Sequence, residues 1–236
     1  MRQRSRRLLR WNGLALVFGL AFAGVTWAQG AKAAHPSMAP VEQYMMERGA
    51  EIALARTAAP ESIAKDAAVM VLGRHGYETA VESTNGFVCL VFRSWTAGTD
   101  DADYWNPKAH SPICLNAAAA RTYLPLMTKR TELVLAGRTT PEVIEEIKAD
   151  LDTGKLPKLE PGSMCFMMSK QGVLNNAGGP WHPHLMFFEP LQPSAWGADV
   201  EGSPVISAVD TLDRLTIFMV PVGRWSDGSA DAVAGH

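Results

Sequence analysis

The chain has 236 residues, 47% of them hydrophobic and 19% charged, with 22 Lys and Arg against 24 Asp and Glu. That is ordinary for a globular protein and rules out a collagen-like or highly charged disordered chain. Beyond the first residues there is no basic cluster, which argues against nucleic acid as a partner, because phosphate neutralisation needs concentrated Lys and Arg.

The N-terminal stretch MRQRSRRLLRWNG holds five arginines and no acid, and the apolar or small run LALVFGLAFAGVTWA follows it to Ala28. A basic segment, a short apolar segment and a terminal small residue describe a secretory signal. The expected organisation is a signal peptide over residues 1–28, a disordered leader over 29–40, one α+β domain over 41–225 and a polar tail over 226–236. Cleavage after Ala33 is the alternative, and Arg6-Arg7 also permits the twin-arginine route. The apolar run is shorter than the roughly 20 residues of a spanning helix, so no stable membrane span is expected after cleavage. Loss of the five arginines leaves 17 basic against 24 acidic residues, a net charge of −7.

In the remaining chain, helical spacing of Val41, Tyr44, Met45, Ile52 and Ala53 predicts a helix from Val41 to about Arg56. The period then changes to that of strands. AAVMVL, YETAV and FVCLVFRSW, separated by GRHG and ESTNG, predict an antiparallel meander over residues 67–95. Asn85-Gly86 is its hairpin signal, since both residues tolerate positive φ. An acidic loop (TDDADYW) leads to the short apolar ICLN.

Residues 117–137 favour helix but are interrupted at Pro125, which predicts two pieces. TTPEVIEEIKADLDTG is the clearest helix, with Thr140 as cap, Pro141 in the first turn and Gly154 at its end. SMCFMMS, HPHLMFFE, PVISAV and RLTIFMVPVG predict the remaining strands. A helix, three strands, a loop, helices and then several strands indicate an α+β fold, a mainly antiparallel sheet with helices packed on one face.

There are three cysteines, Cys89, Cys114 and Cys165. In an exported chain an odd number implies one pair and one free thiol, or no pair. Cys89 and Cys114 are closest in sequence and flank a polar loop, so they form the expected disulfide, which would stabilise the chain by about 3 kcal/mol.

The stretch NNAGGPWHPHLMFFEP carries the most suggestive chemistry. His182 and His184 are two apart in an expected strand and therefore share a face. Imidazole suits copper, zinc and iron, and Met164, Cys165, Met167 and Met168 offer soft sulfur nearby. A copper or zinc site on His182 and His184, in a periplasmic metal-binding protein or metalloenzyme, is one reading. The bland alternative is a strand whose polar teeth are histidines and whose Met and Cys fill the core. Cys165 as a nucleophile with a histidine base is a further option, but its apolar neighbours suggest an inert thiol. The acids Asp100, Asp101 and Asp103 lack the spacing of a calcium loop. Neither G-x-S-x-G nor H-E-x-x-H occurs. Trp95, Trp105, Trp181, Trp196 and Trp225 either line a cleft or cover the sheet.

The segments ESIAKDAAVMVL, STNGFVCL, SPICLN, MCFMMSKQG and GPWHPHLMFF, in this order over roughly residues 60–190, resemble a family of uncharacterised exported bacterial proteins. The resemblance implies that Cys89 and Cys114 pair and that Pro183, His184 and Met186 belong to a shared strand. It implies no activity and extends to neither His182 nor Cys165. The reading as a whole is an exported periplasmic or secreted domain that binds a small molecule or protein without a cofactor. Binding is favoured over catalysis, in a ligand cleft lined by Trp181, His184 and Met168.

Overall fold

The protein is described by a computed structural model that covers residues 35–175 and 179–232. The expected signal peptide, most of the leader and residues 233–236 lie outside the described residues. Eight strands form one sheet: β1 (Ala68–Leu72), β2 (Tyr77–Val81), β3 (Val88–Arg93), β4 (His110–Leu115), β5 (Met164–Met167), β6 (His184–Pro190), β7 (Ile206–Asp210) and β8 (Leu215–Pro221). Their order is β2-β1-β3-β4-β5-β6-β8-β7. Five helices accompany them: α1 (Arg48–Arg56), α2 (Glu61–Ala64), α3 (Ala117–Thr122), α4 (Leu124–Leu135) and α5 (Thr140–Asp152). The fold is α+β with a mostly antiparallel sheet.

The expected meander over 67–95 is corrected. β1 and β2 pair antiparallel, but β3 lies on the other side of β1 and runs parallel to it. Asn85-Gly86 therefore closes no hairpin. Gly86, at φ +79°, turns a connection that crosses the start of β1, where Thr84 N–H donates to the Asp66 carbonyl and Ala68 N–H to that of Phe87. Asn85 Nδ2 ties this turn to the Ile63 carbonyl at 2.8 Å. The turn chemistry is as the residues suggest; the partner strand is not local. β3 is buried along nearly its whole length, and a strand buried on both faces gains more at the sheet centre than at an edge.

The central strands bury both faces, and their helices are not confined to one. Leu90, Phe92, Ile113 and Leu115 point into a core closed by α3, α4 and α5. Cys89, Val91 and Cys114 point to the opposite face, where they meet Ala55 and Ala58 at the end of α1 and Ala64 of α2. Two cores on one sheet follow from the period of two in strands that carry apolar residues at successive positions. Cys89 and Cys114 are directly opposed in the β3–β4 ladder, Cα atoms 3.9 Å apart, and form the disulfide. Cys165 is free and buried on the other face.

The helix expected from Val41 is cut short. A 3-10 turn covers Val41–Gln43, and Tyr44 drops into the core against Trp95, with its hydroxyl donating to the Trp105 carbonyl at 2.8 Å. Glu47 then caps α1 by accepting from Gly49 and Ala50 N–H. α4 starts beside Pro125, as the proline predicts. α5 is capped by Thr139 rather than Thr140, through a reciprocal arrangement with Glu142.

Two arginines are fully enclosed. Arg93 of β3 donates to Glu51 of α1 at 2.9 Å and to the Tyr44 carbonyl at 2.7 Å, and Glu51 also accepts from Leu72 N–H. Arg130 of α4 pairs with Asp213 in the β7–β8 turn and donates to the Ala97 carbonyl at 3.2 Å. Both pairs are essentially inaccessible to water. Removing one partner of such a pair leaves an uncompensated buried charge. Glu51→Ala is therefore expected to cost about 3–5 kcal/mol of unfolding free energy in urea titrations. Unfolded in urea without reductant, the wild-type chain is expected to show one thiol, Cys165, to a thiol reagent.

Candidate functional site

β6 begins at His184, and its register with β5 decides what meets what. Met167 is directly opposite His184, Cys165 opposite Met186, and Phe166 opposite Leu185. Met167 and His184 thus emerge on one face as neighbours, a pairing of about 4.5–5.5 Å between Cβ atoms in such ladders. Met168, the expected companion of His184 and Trp181, instead contributes with Phe166 and Leu185 to an open apolar surface near Pro60. The correction is one of parity: adjacent strand residues face opposite ways.

The segment before β6 is folded back onto β4. Val173 and His110 exchange N–H donations at 2.8 and 2.9 Å. Gly172 passes so near the chain that an added Cβ would sit 3.6 Å from Pro112 and 3.8 Å from Pro180. This brings Trp181, His182 and His184 around a small, partly open void with Met167, Ser111 and Ser169. The void has a volume of about 20 Å³. That suffices for one water or one ion, since a single water needs about 10–15 Å³.

The two histidines are oriented through their Nδ1 atoms. His184 is 5% exposed, and its Nδ1 lies 2.7 Å from the His182 carbonyl, so Nδ1 carries the proton it donates. Burial, with the nearby His182 ring, holds the His184 imidazole below its ordinary pKa and keeps it neutral. His182 Nδ1 sits 2.6 Å from Oδ2 of Asp231, whose side chain is buried while His182 is one-third exposed. The Trp181 ring meets both imidazoles edge-on, at 4.9 and 5.4 Å between centroids.

Asp231 was hidden in the expected polar tail. The tail instead doubles back: Ser226 N–H donates to the Met168 carbonyl, Asp231 N–H to that of Gly223, and Lys170 pairs with Asp227 at 3.0 Å. Nothing local in the sequence marks Asp231, which lies 49 residues from His182. Met167 was legible in principle, because strand alternation groups it with Cys165 rather than with Met168. Cys165 itself is enclosed on every side, and burial pushes its thiol far up, out of the range of a nucleophile. Asp101 and Asp103 are occupied in local turns. Among the described residues no group of three or more His, Cys, Asp or Glu side chains is placed to hold a metal, and no helix is long and apolar enough to cross a membrane.

A larger space lies beside α4, α5 and β8. A cleft of about 340 Å³ opens between Leu126 of α4, Leu151 at the end of α5, the connection through Leu156 and Leu159, and Leu215 of β8. Asp213 reaches its floor, with Lys158 and Arg214 also on its lining. Burial raises the Asp213 carboxyl to about 6, with Arg130 opposing and Asp210 reinforcing the shift. The folded state then holds the proton more tightly than the unfolded chain. This stabilisation is full below about 3.8 and is lost as pH rises through about 6, a change of about 3 kcal/mol. Asp213→Asn is expected to flatten the pH dependence of the urea midpoint across that window.

No family model, curated protein or solved structure matches the chain.

Proposed function

We propose that the chain is an exported binding domain for a small, largely apolar molecule, held in the cleft floored by Asp213. The observation that carries this reading is the cleft itself. Its volume of about 340 Å³ lies at the small end of ligand pockets, which run from about 300 to 1,000 Å³. Its walls are chiefly leucines, with a few convergent polar groups, the composition that fixes a ligand's orientation while burial supplies affinity. Asp213 is already countered by Arg130, so it offers a ligand a hydrogen-bond acceptor without the cost of an unpaired buried charge.

The void beside Trp181 and His184 is much the smaller of the two spaces, so the reading places the ligand in this cleft. Export is supported by the basic and apolar N-terminal pattern. It is supported as well by the Cys89–Cys114 pair, since disulfides persist in oxidising compartments. The acidic mature charge remains an argument against nucleic acid.

Cell fractionation with intact-mass measurement tests export: the periplasmic chain is expected to begin at Gln29 or Ala34. For the cleft, the fluorescent probe 1-anilinonaphthalene-8-sulfonate is expected to bind at a single saturable site. Leu151→Trp, which fills the cleft, should weaken it by about tenfold, equivalent to about 1.4 kcal/mol. Unsaturable fluorescence, or binding that Leu151→Trp leaves unchanged, would sink the assignment.

A further inference from the structure

We propose that the void between Met167, His182 and His184 is a site for one monovalent copper ion, held by two imidazole nitrogens and one thioether sulfur. It is separate from the cleft and does not depend on the reading given to that cleft.

Both histidines are set up in the manner of metal ligands. A ligating histidine commonly donates its second ring N–H to a carboxylate or a backbone carbonyl, which fixes tautomer and ring orientation and raises the basicity of the ligating nitrogen. Here His182 Nδ1 faces the buried carboxylate of Asp231 at 2.6 Å, and His184 Nδ1 faces the His182 carbonyl at 2.7 Å. Each ring therefore keeps its Nε2 lone pair for another partner, and both residues line the same small void. A histidine serving only as a polar tooth needs no such carboxylate behind it, and Asp231 is brought 49 residues along the chain to supply it.

The third donor selects the metal. Met167 is the residue directly across the ladder from His184 and borders the void as well. Thioether and imidazole are soft or borderline neutral donors, which favour Cu(I) over the harder divalent ions. Charge argues the same way. Three neutral ligands leave a single positive charge on a monovalent ion, whereas zinc would leave two, and burying charge is costly. Zinc sites also usually take four donors, often anionic. A volume of about 20 Å³ accommodates an ion already stripped of water, and the Trp181 ring beside both imidazoles screens it from solvent.

The test is an anaerobic titration of the purified protein with Cu(I) against a chromophoric chelator, bicinchoninate, combined with X-ray absorption of the loaded wild type. One equivalent is expected to bind, with one sulfur and two nitrogens around copper. Met167→Leu, which preserves packing, and His184→Gln should each weaken binding at least about tenfold, and Asp231→Asn by about 10–100-fold. The absorption measurement needs no variant and so stands even if a substitution disturbs folding. No Cu(I) uptake in competition, a copper shell without sulfur, or affinity that Met167→Leu leaves unchanged would each overturn the site. So would zinc binding tighter than Cu(I).

Discussion

The register of the four central strands is the constraint on which the other features depend. β3, β4, β5 and β6 pair antiparallel in sequence across the sheet, and each is apolar on both sides. A slip of one residue would move every side chain to the opposite face. Cys89 would then no longer face Cys114, Cys165 would leave the interior, and His184 would lose Met167. The disulfide locks the β3–β4 register covalently, and the two cores on either side of the sheet hold it by packing.

The buried arginines solve a second problem, that of joining layers far apart in sequence. Arg93 binds the sheet to α1 and to the Tyr44 region, while Arg130 binds α4 to the 96–97 segment and to the β7–β8 turn. Ion pairs of this kind contribute less to net stability than equally packed apolar groups would, because desolvation offsets their attraction. Their directional demand is what distinguishes them. Each tolerates one arrangement of its neighbours, and the second places Asp213 on the lining of the leucine-rich cleft. A structural pair thereby becomes a polar group available to a ligand.

Over β6 and β8 a loop aromatic packs on the sheet. Trp196 stacks on Phe218 at 4.7 Å and lies near Phe187 at 5.3 Å. It does so from a backbone at φ +62°, an unusual conformation for a bulky residue. Of the tryptophans in loops, then, Trp196 covers the sheet, Trp95 fills the core and Trp181 borders the histidine void. Their common composition concealed three different roles.

Local chemistry in the chain determined much of this architecture. Period-two runs marked the strands, Pro125 marked the break between α3 and α4, and the Thr-Pro-Glu start and Gly154 bounded α5. The pairing of Cys89 with Cys114 and the inert character of Cys165 were equally legible, because each depends on nearby apolar and turn residues. Tertiary structure alone decided the crossing of β3 to the far side of β1, since strand pairing rewards burial and not proximity along the chain. It also decided that Met167 rather than Met168 stands beside His184, that Asp231 turns back to His182, and that Arg130 meets Asp213. These are contacts between segments 17 to 83 residues apart. Their energies arise only when both partners are desolvated together, which is why no local pattern announces them.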